Sequence, residues 1–373
     1  MKKVLYGTTA LLAAGMFTAA AEAATPLKLT VGGYLNAWVG YTNLSRKDLG
    51  PLVGSTARVN KFALGTDGEI AFTAETKLDN GIKVGAVAEV VIGSTDLTGD
   101  QGWLDDVYAY AETKYGKVEL GATDNVAKKL HNGAPEVGPL DTVKIANWLG
   151  TIPFVRLDST TIDFDGNNKK ISYFSPKFYG FQLGASYVPG ATAKEAFEIT
   201  RNGAQPSGVT KDDDDFSNAY VVSGAYEGKF GGVTVGADVA YGNRKPKGDK
   251  RIEQYSFGAD VSFSGFTVGA GYSFIDENKR FFKNDKSFEL GVAYENGPYA
   301  VSANYFLSKM GKIANVKMGK FQKYEISGKY KLGAGVDAFA TFAYLDLNDR
   351  AAIIYGGELD KVWTVVTGLA LTF

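Results

Sequence analysis

Few residues of this chain could carry covalent chemistry. Its 373 residues contain no cysteine and a single histidine, His131. Disulfides and thiolate metal sites are therefore excluded, and a histidine-based zinc site has no second ligand of its kind. A hydrolase would need a nucleophile beside a base, but His131 is followed by Asn132 and Gly133 with no serine-rich motif around it. The chain does not read as an enzyme, and no cofactor is implied. Two acidic segments could offer oxygen ligands to a Ca2+ ion. In Asp163-Phe164-Asp165-Gly166-Asn167 the glycine is misplaced for a calcium loop and the closing glutamate is missing, so it reads as a turn. The run Asp212 to Asp215 lies in a long polar connection, where a solvated loop is the plainer reading. His131 has an ordinary pKa near neutrality and could couple pH to its segment; a passive loop histidine is the alternative.

Elsewhere charge is spread along the chain with a period of two. From Phe62 the even positions read Phe62, Leu64, Thr66, Gly68, Ile70, Phe72 and Ala74, while the odd ones include Lys61, Asp67, Glu69, Glu75 and Lys77. The split recurs as Val84, Ala86, Ala88 and Val90 against Lys83 and Glu89, and as Val107, Ala109 and Ala111 against Asp106, Tyr108, Tyr110 and Glu112. Such alternation makes a strand with one apolar and one polar face. About sixteen such segments follow, each near the ~10 residues a tilted strand needs to cross a hydrocarbon layer. They begin near Leu27, Lys61, Ile82, Leu104, Lys117, Lys170, Phe181, Asn218, Val233, Ile252, Phe266, Ser287, Tyr299, Phe321, Val336 and Lys361. Short glycine-bearing turns, such as Asp79-Asn80-Gly81 and Ser264-Gly265, alternate with long polar connections, such as Asn43 to Asn60 and Asp124 to Lys169. That alternation is how transmembrane β-barrels are built, and the 46 Gly, 21 Tyr and 23 Phe suit many strands with aromatic belts.

Lys2 and Lys3, the apolar run Val4 to Phe17 and Ala21-Glu22-Ala23 form a secretory signal peptide over residues 1–23, leaving one domain over 24–373. No later run of about 18 apolar residues provides a transmembrane helix. The 40 basic and 41 acidic residues nearly cancel, so no net field draws the chain to nucleic acid. A soluble sandwich is the alternative for an alternating all-β chain. Against it stand the signal peptide, the loop-length alternation and the aromatics at the ends of the apolar face: Tyr41, Tyr241, Phe266 and Phe274.

Three local features resemble the trimeric general porins of Gram-negative bacteria, in particular the alphaproteobacterial type. Asn168 to Tyr187, NKKISYFSPKFYGFQLGASY, is similar to that family's hairpin after its long third loop. Tyr115-Gly116-Lys117-Val118-Glu119-Leu120-Gly121 resembles the hairpin before it. The chain ends with Trp363, Val365, Thr367, Leu369, Leu371 and Phe373 in alternation, similar to the assembly signal that outer-membrane proteins present to the barrel assembly machinery, with Phe373 as its last residue.

The resemblance implies an all-β fold, a transmembrane antiparallel β-barrel of about sixteen strands in the bacterial outer membrane. It also implies a homotrimer among outer-membrane lipid and lipopolysaccharide, a water-filled channel for passive diffusion of small hydrophilic solutes and ions, and no nucleic-acid partner. Small outward residues, Gly33, Ala37, Ala86, Ala88, Ala109 and Ala111, permit the close packing of barrels that a trimer needs. The third loop, residues 124–168, is expected to fold inward as the constriction, carrying Glu136, Asp141, Lys144, Trp148, Arg156 and Asp158. The facing pore wall is expected to present Lys61, Asp67, Glu69, Glu75, Lys83, Glu89, Asp106, Tyr108, Glu112 and Glu119. Here the chain departs from the family: no arginine cluster is visible, lysines sit mostly near strand ends, and the mid-strand charges are largely acidic. That pattern favours cations. A substrate-selective channel for sugar or ion is the alternative, since Tyr34, Trp38, Tyr108 and Tyr110 leave a sugar path open. The acids of Asp212 to Asp215 could bridge lipopolysaccharide through Ca2+.

Overall fold

The computed structural model describes residues 26–43, 60–93, 104–140, 159–189, 216–246, 251–277, 282–283, 285–309, 312–313, 316–317, 319–348 and 361–373. The expected signal peptide, the run Asp212 to Asp215, and Asp141, Lys144, Trp148, Arg156 and Asp158 lie outside the described residues.

Sixteen antiparallel strands close into a barrel. They are β1 (Lys28–Thr42), β2 (Phe62–Lys77), β3 (Lys83–Val91), β4 (Leu104–Thr113), β5 (Gly116–Ala122), β6 (Lys169–Phe174), β7 (Phe181–Val188) and β8 (Phe216–Phe230). The second half is β9 (Val233–Pro246), β10 (Ile252–Phe263), β11 (Phe266–Glu277), β12 (Lys286–Asn296), β13 (Tyr299–Lys309), β14 (Lys320–Gly333), β15 (Val336–Asn348) and β16 (Lys361–Thr372). Every start falls within two residues of the position expected from the alternation, because a period-two pattern fixes both face and phase. Each strand pairs with its neighbours in sequence, and β16 closes on β1 with Tyr34 opposite Thr372 and Thr42 opposite Thr364. Gly33 and Phe373 exchange both backbone hydrogen bonds, at 2.8 and 3.1 Å, so the last residue completes the seam. Closure leaves no unpaired edge, which a sheet in hydrocarbon requires.

The tight turns lie at one end. Ser264-Gly265 joins β10 to β11 with φ of 50° and 85°, and Tyr179-Gly180 precedes β7 with 48° and 90°. Two consecutive positive φ values make the hairpin turn whose twist matches that of the strands.

The outer face is apolar. Leu64 is 78% exposed, Leu183 64% and Ile326 63%, which water would not tolerate over a whole barrel but lipid does. Two aromatic belts border it. Toward the long connections run Tyr241, Tyr255, Phe274, Tyr305, Tyr324, Tyr344 and Trp363, with neighbouring rings such as Tyr305 and Tyr324 at 5.0 Å. Toward the turns run Phe181, Tyr226, Phe266, Tyr294, Tyr299 and Tyr330. The belts mark the two membrane–water interfaces. They are interrupted on β3 and β4, whose outward residues include only Val, Ala and Leu along Val84 to Val90 and Leu104 to Ala111.

The inner face is not uniformly polar. Trp38, Phe306, Phe321, Phe339, Leu345, Val362 and Val366 form an apolar cluster on β1 and β13–β16, inside the barrel. Leu140 of the inward-folded loop covers it.

Candidate pore constriction

After β5 the chain turns into the barrel. Asn125 starts a short helix, α1 (Val126–Leu130), its side-chain oxygen accepting from the amides of Ala127 and Lys128 at 2.8 and 3.1 Å. This satisfies donors that the helix leaves open. The same side chain donates to the Ile162 carbonyl at 2.9 Å and to Asp165 at 2.5 Å, tying the outgoing limb of the loop to the returning one. Beneath, Lys170 of β6 is wholly buried, ion-paired to Asp165 at 3.1 Å and donating to the carbonyls of Thr123 and Gly166. Val126, Ala127, Ile162, Phe174, Val221 and Ala240 pack as an apolar foot against β6, β8 and β9.

From this foot the outgoing limb, residues 131–140, crosses the inner wall strand by strand. The Asn132 amide donates to Asp238 on β9 at 2.6 Å, that of Ala134 to Glu289 on β12 at 3.1 Å, and that of Val137 to Ser302 on β13 at 3.2 Å. Glu136 pairs with Lys323 on β14 at 3.0 Å. The limb can lie this close because Gly258 and Gly269 face it: a Cβ on either would run into the carbonyls of Asn132 or Gly133. The returning limb is held by Gln254, which donates to the Thr161 carbonyl at 3.1 Å, and Ser287, which donates to that of Ser159 at 2.6 Å.

His131 sits where the two limbs and the wall meet. Its Nδ1 lies 3.2 Å from Asp238, and its Nε2 lies 3.1 Å from the Thr160 hydroxyl and 3.7 Å from Glu289. Burial disfavours its charged form, but the hydrogen bonds and charges of Asp238 and Glu289 outweigh burial and push its pKa up to about 9. Likewise burial works against the Lys128 ammonium, yet Asp163 at 3.0 Å and Asp124 at 2.9 Å raise its pKa.

The described limbs of the loop, residues 124–140 and 159–168, therefore run along the wall of β7–β15, with Lys129 reaching back to Glu119 of β5 at 2.5 Å and Asn167 to Asp105 of β4 at 2.7 Å, and the rest of β1–β5 faces them across the lumen. The inward charges of β1–β5 fall into two groups. Toward the turns, Glu75, Glu112 and Glu119 are matched by Lys83, Lys117 and Lys129: Lys83 lies 2.8 Å from Glu75 and 3.8 Å from Glu112, and Glu119 is held by Lys117 at 2.7 Å and Lys129 at 2.5 Å. Tyr110 donates to Glu75 at 2.5 Å, and the Lys117 and Lys129 ammonium groups lie over the Tyr110 and Tyr108 rings at 4.5 and 4.6 Å. Toward the long connections the charges are acidic. Carboxylate oxygens of Glu69, Glu89 and Asp105 lie within 4.8 Å of one another, Asp106 accepts from Thr123 at 2.7 Å, and Asp67 stands on the same face as Glu69.

Of the expected wall residues, Asp67, Glu69, Glu75, Lys83, Glu89, Asp106, Tyr108, Glu112 and Glu119 come together on this face, whereas Lys61 precedes β2 at the exposed rim. Glu136, expected to face the opposite wall, is instead tied to Lys323 of the wall it lies on. Trp38, placed on a sugar path by sequence, is 3% exposed in the apolar cluster. Asn125, Lys170, Asp238, Glu289, Lys323 and Glu325 hold the loop and were not singled out by sequence; the inward phase of the last four was the available signal.

A family model described as Gram-negative porin matches residues 7–350 of the chain. Relatives include a protein of Rickettsia bellii described only as uncharacterised, 23% identical over 83% of this chain and 84% of its own. Another from Rickettsia prowazekii is 22% identical over 78% and 80%. Among solved structures, an anion-selective porin from Comamonas acidovorans superposes with a TM-score of 0.60 at 16% identity, covering 93% of this chain and all of that one. A porin refined at 1.8 Å gives 0.57 at 17% identity with the same coverage. OmpT of Vibrio cholerae, solved in a trimer form, gives 0.58 at 10% identity over 94% of this chain and all of its own.

Proposed function

The chain belongs to the Gram-negative porin family and forms an outer-membrane channel for passive diffusion, and we propose that this channel is unspecific for solute and favours cations. The observation that carries the proposal is the division of the lumen: a loop whose described limbs run mainly along one wall, and a facing wall whose acids Glu69, Glu89 and Asp105 cluster, with Asp106 beside them, while its lysines are paired at the turn end. Clustered carboxylates beside water lower the energy of a passing cation and raise that of an anion. The aromatic path a sugar channel would need is weakened by the burial of Trp38 and by the lysines over Tyr108 and Tyr110. In liposome swelling, entry rates should fall smoothly with solute size and stay linear in concentration. Saturation by one sugar would favour the selective alternative.

Further proposals concern assembly. The interrupted belts and the exposed Ala37, Ala86 and Ala109 support barrel-to-barrel packing on the β1–β5 side and hence a homotrimer. Residues 1–23 would be the leader removed on export, and Phe373, at the seam, the residue read by the assembly machinery. An enzymatic role is disfavoured chemically. Asp238, His131 and Thr160 follow one another as the partners of a nucleophilic triad do, but Thr160 is 1% exposed and His131 stays protonated to about pH 9, so it is no base at neutrality.

A further inference from the structure

At the root of the loop three buried side chains meet that passage through the pore does not use. Asn125 of the outgoing limb, Asp165 of the returning limb and Lys170 of β6 are 0%, 1% and 2% exposed. The Asp165 carboxylate stands between the other two. Its Oδ1 accepts from the Asn125 Nδ2 at 2.5 Å, and its Oδ2 lies 3.1 Å from the Lys170 Nζ and makes no hydrogen bond. Lys170 also donates to the carbonyl of Thr123, two residues before Asn125, which brings the amine to the same turn. On the far side of the amide, the Asn125 Oδ1 accepts from the backbone amides of Ala127 and Lys128 at 2.8 and 3.1 Å. The apolar foot that includes Val126, Ala127, Ile162 and Phe174 adjoins the group and keeps water out. Each contact alone is an ordinary anchor. Together they are the parts of an acyl transfer: an amine nucleophile, a carboxyl group touching both amine and leaving nitrogen, and two donors on the carbonyl oxygen.

We propose that Lys170 and Asn125 become joined by an intramolecular amide bond, formed by the folded chain itself with Asp165 as the catalytic residue. Asp165 takes a proton from the Lys170 ammonium at Oδ2, a transfer that burial favours because it removes two charges from a site without water. The neutral Nζ attacks the Asn125 Cγ, and the negative charge that develops on Oδ1 is met by the amides of Ala127 and Lys128. Asp165 passes its proton to Nδ2 and takes one from Nζ as the bond from Cγ to Nδ2 breaks and ammonia leaves. One amine and one primary amide give one secondary amide and one ammonia, with no oxidant or co-reactant. The bond closes a covalent ring through the third loop and fixes its root to β6, and it stands apart from the solute and ion preference of the channel.

The test follows the full chain from urea through refolding in dodecylmaltoside, with intact mass and free ammonia measured before and after. Folding should make each chain lighter by one ammonia and release one ammonia per chain. A tryptic digest of the folded protein should then lack the linear peptide Val118–Lys128 and contain it joined to Lys170–Lys177 as a branched peptide. Lys170→Arg and Asp165→Ala should keep full mass and linear peptides, the first lacking the nucleophile and the second the proton carrier. Asn125→Asp should give the same branched peptide with loss of water in place of ammonia. Heat-modifiable mobility reports that each barrel is folded; should the variants not fold, the wild-type digest decides alone. A folded wild type of unchanged mass, ammonia loss without a branched peptide, a branch at Asp165 instead of Asn125, or a bond that still forms in Asp165→Ala would overturn the proposal.

Discussion

At the scale of single residues, the loop is held by charges buried inside the barrel. Lys323 and Glu325 are 1% and 2% exposed, 2.6 Å apart, with Glu136 on the same ammonium and Ser327 donating to Glu325 at 2.8 Å. Removing one partner of such a set leaves buried charge uncompensated. Lys323→Met should therefore cost about 3–5 kcal/mol, read as a lower urea midpoint in detergent, and Lys323→Met with Glu325→Leu should recover part of it. His131 gives the pH dependence. Its folded pKa of about 9 lies above the ordinary value, so the hold it provides is complete below about pH 6.5 and is lost as pH rises through about 9. Limited proteolysis of the loop should accelerate between pH 7 and 10 in the wild type and show no such step in His131→Gln. These partners were not legible in sequence: Glu136 and Lys323 stand 187 positions apart, with no local pattern linking them. An inward lysine is predictable from phase, but its carboxylate is not.

At the scale of elements, what was legible was whatever repeats. Sixteen strand starts and the glycine turns follow from a two-residue period that one sequence displays many times. The interior of the wall follows a different rule, visible only in three dimensions. Phe306, Phe321 and Phe339 point inward where Leu140 of the loop packs against them, so the polar-inside pattern fails where the loop docks. The small residues Gly258 and Gly269 read as weak strand positions, yet they are where the loop backbone passes. Gly258→Val should thus push the loop off its wall into the lumen, and single-channel conductance should fall while the folded barrel persists. Unchanged conductance would mean that the loop does not lie on that glycine. At the turn, Gly265→Val should cost about 1–3 kcal/mol, since φ there is 85° and a branched side chain does not adopt it. Ser264→Asn should be neutral or stabilising in the same unfolding assay.

At the scale of the whole molecule, among the described residues the limbs of the loop and the apolar cluster lie mainly on one side of the lumen, and the acids of β2–β4 line the other. The sequence pointed to an acidic wall through mid-strand Glu and Asp, and among the described residues the arginines are Arg244 and Arg251, both near the rim. What it could not supply was which acids are neutralised, because the pairing of Lys83 with Glu75 and of Lys117 and Lys129 with Glu119 depends on register and on the loop. The most direct test is the reversal potential across a planar bilayer with a potassium chloride gradient. The wild type should reverse at a potential of the sign set by potassium, and Glu69→Gln, Glu89→Gln, Asp105→Asn together should move it toward zero. A wild-type potential at zero or of the sign set by chloride, or a triple variant that leaves it unmoved, would contradict the assignment of the acidic wall as the selective face of the channel.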